Sequence, residues 1–117
     1  MEKEFLYLGY YFDTLNRLIL KIGTTNDLNR RATEHTRNYR RAKDYTMPAE
    51  SKFKYIWTIK LSKYNTIRFE DLNKELWKKS GVGAFIRNDR FCVAECPETV
   101  AIKIRKTYTI SLSECQK

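Results

Sequence analysis

A guanidinium and an imidazole stand one helical turn apart at Arg31 and His35, shortly after the run Lys21-Ile22-Gly23. The guanidinium is a planar fork of donors that matches phosphate oxygens in pairs. The imidazole, with an unperturbed pKa of about 6.5, takes up or releases a proton near neutrality. A strand that delivers a glycine turn into a capped helix would aim both groups back toward the strand. That arrangement has the chemistry to hold a phosphodiester and to move the proton of an attacking water. Each group also has a plain structural reading. A lone helical arginine is a solvated charge, and a lone helical histidine is more often packed or on the surface.

The elements that must position these groups follow from the pattern. Residues 5–12, Phe-Leu-Tyr-Leu-Gly-Tyr-Tyr-Phe, are aromatic and β-prone. Asp13-Thr14-Leu15-Asn16 supplies a turn, and residues 17–22 read as a return strand that Gly23 ends. Thr24-Thr25-Asn26-Asp27 holds several candidate caps for a helix from Leu28 to Asn38, with Leu28, Ala32 and His35 on one face. Residues 39–51 read as a basic loop or a fraying helix. Phe53, Tyr55, Trp57, Ile59 and Leu61 alternate with Lys54, Thr58 and Lys60, the pattern of a strand with one buried face. A helix follows over 67–79, with Phe69, Leu72, Leu76 and Trp77 as its apolar stripe and Gly81 and Gly83 as its stop. Phe85-Ile86 and residues 90–94 read as short extended pieces. Pro97 opens a last helix with Val100, Ala101 and Ile104 facing inward, and Tyr108-Thr109-Ile110-Ser111-Leu112 reads as a final strand. The sum is an α+β chain: a small, mainly antiparallel three-stranded sheet flanked by helices, with residues 1–117 forming a single domain.

Composition narrows the partner. A net charge of +9 favours polyanions by long-range attraction and counterion release. The excess is concentrated: Arg30, Arg31, Arg37, Arg40, Arg41 and Lys43 are opposed within their stretch only by Glu34. Nucleic acid is the expected partner, ahead of an acidic protein or an anionic membrane. Tyr39 and Tyr45 lie in this basic segment as candidate stacking platforms for bases, whereas Trp57 and Trp77 fit core stripes. No stretch approaches the roughly 18 apolar residues of a membrane span, and nothing resembles a signal peptide, so an intracellular protein is expected. Cys92, Cys96 and Cys115 are odd in number and lack framework spacing, which points to reduced thiols rather than disulfides or zinc.

The hairpin and its helix resemble the GIY-YIG nuclease superfamily, in particular its compact phage and viral branch, which often has Lys-Ile-Gly in place of the second triplet. Gly9-Tyr10-Tyr11 looks like the first triplet and Lys21-Ile22-Gly23 like the second, with nine residues between them. Arg31, eight residues past Gly23, matches the helix arginine of the family, and His35 matches a histidine found in part of it. The last element of the family is an acidic metal ligand, often in a Glu-aromatic-Phe run. Here Asp89-Arg90-Phe91 is the best match, with a shorter carboxylate and an arginine in the aromatic place. Glu70 and Glu75 are the fallback carboxylates.

The resemblance implies an endonuclease that hydrolyses DNA phosphodiesters with Mg²⁺ or Mn²⁺ and no other small-molecule cofactor. In that scheme Asp89 holds the metal and Arg31 clamps a non-bridging oxygen. Tyr11 positions or deprotonates the water, His35 is the base or relay, and Lys21 stands in the second tyrosine's place as base or phosphate holder. Tyr7 shares the face of Tyr11 by period two and competes for its role. Arg30, Arg37, Arg40, Arg41 and Lys43 would bind the nucleic acid, a branched or structured DNA or an RNA. The alternatives are a catalytically degraded binding module on the same fold and a basic effector that binds a protein.

Overall fold

Alternation along the first strand decides how the molecule is layered. The computed structural model describes residues 3–81, 83–87, 89–93 and 97–115. In β1 (Lys3–Phe12), Leu6 and Leu8 enter one core while Tyr7 and Tyr11 enter another on the opposite face. The turn after β1 is tied by Asp13, whose Oδ1 accepts from the amides of Leu15 and Arg17 at 3.1 and 2.8 Å. The chain returns as β2 (Leu18–Thr25), and α1 (Leu28–Arg40) follows. Next come β3 (Lys54–Ser62), α2 (Lys63–Ser80), β4 (Gly83–Ile86), β5 (Arg90–Val93) and α3 (Pro97–Cys115).

The sheet has five strands, in the order β3-β1-β2-β5-β4, with every pairing antiparallel. This corrects the three-stranded expectation. The two short pieces near residues 85 and 92 are too brief to show a period, yet they form a hairpin that docks on β2. On one face α2 and α3 bring Phe69, Trp77, Val100 and Ile104 onto Leu6, Leu8, Leu20, Ile22 and Phe91. On the other, α1 and the segment after it bring Tyr39, Met47 and Phe53 onto Tyr7, Tyr11 and Ile19. Each such large side chain contributes about 1.5–3 kcal/mol on burial before its lost entropy is counted.

Three further expectations are corrected. Tyr108–Leu112 is helical within α3, although its residue types favour strands. The helical spacing of Val100, Ile104, Thr107 and Ser111, all buried, outweighs that propensity. A polar seam holds them to α2: Trp77 Nε1 donates to Thr107 Oγ1 at 2.8 Å and Ser111 Oγ to Asn73 Oδ1 at 3.2 Å. The second helix starts at Lys63, not Ile67, because Ser62 caps it by accepting from Asn65 N. Finally, β3 does not bury a single face. Its pairing with β1 shifts between Leu8 and Gly9, so Trp57 faces Leu8 and Tyr55 faces Gly9, with Ile56 as the extra residue. Phe53 and Tyr55 therefore pack with the α1 core, and Trp57, Ile59 and Leu61 with the α2–α3 core.

Gly9 sits at that bulge because a Cβ there would overlap the Phe53 ring and lie 2.8 Å from the Lys54 carbonyl oxygen. Gly9→Ala is expected to cost about 1–3 kcal/mol as overpacking. A urea midpoint that falls with an unchanged slope is the expected readout, and an unshifted midpoint contradicts the close approach.

Candidate active site

The register of β1 on β2 builds the centre of the site. Tyr7 lies opposite Gly23, and a Cβ on Gly23 would come within 2.5 Å of the Tyr7 hydroxyl. Gly23 therefore does not end the strand, which runs on to Thr25. It leaves room for a phenol that is wholly buried. The helix comes to this phenol because Asp27 caps it, accepting from Arg30 N at 3.0 Å. The Tyr7 hydroxyl lies 2.6 Å from His35 Nε2, and the charge of the Arg31 guanidinium acts on it. Arg31 Nη1 reaches Glu34 Oε2 at 3.0 Å, while Arg31 Nε is buried without a partner.

Burial sets the protonation states. Tyr7 is pushed above the usual phenol range by burial, with Arg31 pulling it partway back. His35 is lowered to about 3 by burial and by the charges of Arg31, Lys21 and Arg90. The imidazole is thus neutral at physiological pH, with one ring nitrogen carrying a proton, and the Tyr7 hydroxyl and Nε2 share one hydrogen bond. The ring is held flat on Tyr39, 5.1 Å between centroids and 4° from parallel, and Tyr11 stacks on Tyr39 at 5.0 Å.

Lys21, Arg31, His35 and Asp89 line one cavity of about 980 Å³, joined by Arg90 and Lys43. Lys21 is 7% exposed, and burial lowers it to about 8 while Asp89 and Glu70 pull it upward. Asp89 gives its carboxylate to Lys74 Nζ at 3.2 Å, and the same ammonium holds Glu70 Oε1 at 3.2 Å. Burial alone would lower Lys74, but these two carboxylates raise it. Two lining residues other than glycine, Tyr45 and Asp89, have positive φ of 55°. That region is costly, of order 1–3 kcal/mol for a bulky ring, and such strain gathers at functional sites.

Tyr11 is not brought to this cavity. Its hydroxyl donates to the Tyr45 carbonyl oxygen at 2.7 Å and accepts from Arg90 Nη1 at 2.8 Å. Of the basic residues, Lys43 lines the main cavity. Arg37, Arg40 and Arg41 line a second groove on another face of α1, with Lys52 and Phe53. Arg30 is exposed and bonded to Asn26 Oδ1 at 3.0 Å. Tyr39 is core rather than a platform, Trp77 is core, and Tyr45 packs under the Arg17 guanidinium at 4.4 Å. Glu75 is spent on Lys79 at 3.1 Å, away from the main cavity. Among the described residues, no group of three or more His, Cys, Asp or Glu is placed to share a metal ion. Cys92 is a free, half-buried thiol, and Cys96 lies outside the described residues. No helix among the described residues is long and apolar enough to cross a membrane.

Comparison with known families adds one decisive match, to the T5orf172 domain over residues 4–107. The chain belongs to the T5orf172 domain family. This family is phage-associated and nuclease-related, and it is linked to nuclease-like and DNA-binding functions. No curated protein matches the chain, and no solved structure matches it. In this T5orf172 domain, two residues of the site were hidden in the sequence. Arg90 reads there only as a departure from an aromatic position. Lys74 is not singled out there, although it stands four residues after Glu70.

A buried ammonium with a depressed pKa destabilises the fold at neutral pH. Between pH 8 and the unfolded value of 10.5, the unfolded chain binds the extra proton, so stability rises with pH. Lys21→Met is therefore expected to be more stable than the wild type at pH 7, by on the order of 3 kcal/mol. That advantage should shrink as the pH climbs from 8 to 10.5. Thermal melts across that range test it, and a gap that does not change with pH contradicts the burial of a charged Lys21.

Proposed function

We propose that this T5orf172 domain is a GIY-YIG-type, metal-dependent endonuclease that hydrolyses DNA phosphodiesters. The observation that carries the reading is the buried Tyr7 hydroxyl bonded to a neutral His35, which with Arg31 lines a cationic cavity. Tyr7 takes the role first expected of Tyr11. Its hydroxyl, held by His35 Nε2 beside the Arg31 guanidinium, orients the attacking water. Arg31 neutralises a non-bridging oxygen, a contact that also satisfies its unpartnered Nε. Lys21, mostly charged at pH 7 with its value near 8, adds positive charge to the same cavity.

The donor set suits a hard divalent ion, which takes carboxylate oxygens and keeps several waters. Glu70 and Asp89 already converge on one cation, the Lys74 ammonium, at 3.2 Å each. These two carboxylates would hold Mg²⁺ or Mn²⁺, which supplies Lewis acidity to the phosphoryl and leaving oxygens. A second reading, a DNA-binding module without catalysis, draws on the same fact: Lys74 neutralises the pair without any metal.

A plasmid-nicking assay with Mg²⁺ or with EDTA tests the proposal. Nicking that needs the metal is expected. DNA binding without nicking in either ion supports the second reading. Tyr7→Phe and Arg31→Ala should each lower the cutting rate by about 10²-fold or more. Tyr11→Phe should keep most of it and lose stability instead, having lost its bond to the Tyr45 carbonyl. The reverse ranking of the two tyrosines removes Tyr7 from the mechanism.

A further inference from the structure

Arg90 is a second guanidinium in the cavity, and no carboxylate among the described residues pairs with it. It is 5% exposed. Its Nε donates to the Arg87 carbonyl oxygen at 3.1 Å and its Nη1 to the Tyr11 hydroxyl at 2.8 Å, both neutral acceptors. Among the described residues it makes no ion pair. The carboxylate beside it in sequence, Asp89, turns to Lys74.

The sheet register makes this costly. Arg90 is the direct cross-strand partner of Lys21, and both are buried. Like charges directly opposite one another destabilise a sheet, and burial sharpens the effect. The guanidinium is nevertheless held firmly in place, lying 4.9 Å over the Tyr39 ring. The residues lining the cavity carry five formal positive charges, Lys21, Arg31, Lys43, Arg87 and Arg90, against two carboxylates. Arg31, Lys21 and Arg90 also act together on one imidazole, His35. A pair of buried cations fixed opposite each other at the wall of an open cavity is what an anion site looks like before its anion arrives.

We propose that Arg90 and Lys21 form a second phosphate subsite, which holds a nucleotide phosphate next to the one clamped by Arg31. The assignment rests on the nuclease reading for the identity of the neighbouring phosphate, but the anion site itself does not require cleavage. The Arg90 fork supplies direction, and Lys21 supplies a point charge from the adjacent strand. The group held is either an internal phosphodiester or a terminal phosphomonoester.

Binding by the full chain in EDTA separates these cases without any cutting. The probes are inorganic phosphate, followed calorimetrically, and labelled oligonucleotides with a 5′-phosphate or a 5′-hydroxyl, followed by anisotropy over a range of salt. Arg90→Gln is expected to weaken phosphate binding at least tenfold and to reduce the salt slope for DNA by about one. Arg90→Lys, which keeps the charge but not the fork, should fall between. A 5′-phosphate preference that disappears in Arg90→Gln assigns the subsite to a terminal monoester. Equal affinity for the two oligonucleotides, weakened alike by Arg90→Gln, assigns it to an internal diester. If Arg90→Gln does not fold, Arg90→Lys and Lys21→Met carry the test. Folded variants that bind phosphate and DNA as the wild type does, with the same salt slope, overturn the proposal. A wild type that never nicks DNA, yet loses phosphate binding on Arg90→Gln, upholds the subsite and sinks the nuclease reading alone.

Discussion

The contact between the Tyr7 hydroxyl and His35 Nε2 can exist only in a dry place, and several parts of the fold combine to keep it dry. The missing side chain of Gly23 gives the phenol its space on β2. The β1–β2 register puts that gap opposite Tyr7 rather than one residue away, where the phenol would point into the other core. The Asp27 cap sets where α1 begins, and so places His35, two turns later, above the sheet. Tyr39 and Phe53 then close around the imidazole. Exposing any of these surfaces would let water compete for Nε2 and loosen the hold on the Tyr7 hydroxyl.

The same dryness makes the cationic cavity expensive. Lys21 and Arg90 face each other on a buried sheet face, and Tyr45 and Asp89 hold backbone angles that ordinary side chains avoid. None of this improves the core. Stability of this kind is surrendered where a site must be ready before its ligand comes, because preset charges need no reorganisation when a ligand arrives. The two cores pack on either side of the sheet and supply the burial that lets the cavity remain strained.

How far the sequence revealed this depends on the range of each interaction. The hairpin, α1 and the spacing of Arg31 and His35 rest on local pattern, and the structure keeps them. The β4–β5 hairpin rests on pairing with β2, far away in sequence, so four-residue strands gave no period to read. The bulge at Ile56 was invisible for a related reason. Odd residues stay apolar through it, and only the partner strand shows that they change face. Tyr7 and Tyr11 were indistinguishable by period two, since both lie on one face of β1. The choice between them turns on Gly23 for one and on Tyr45 and Arg90 for the other. Tyr108–Leu112 reads as a strand because the buried seam of its helix is partly polar, and Thr107 and Ser111 do not look like core in a sequence.

Lys74 links the structural and chemical sides of the site. Its ammonium stands between Glu70 and Asp89, which approach from a helix and from a strained turn. Without it, two carboxylates would be gathered near Lys21 with their mutual repulsion only partly relieved. With it, the turn at Asp89 is anchored to α2, and so the start of β5 and Arg90 are anchored as well. A divalent cation that takes those oxygens must displace a single charge already bound there. Its double charge and shorter contacts favour that exchange, while the loss of the anchor opposes it. A metal bound there would therefore be coupled to the position of Arg90 through one lysine, because of where the chain puts three side chains.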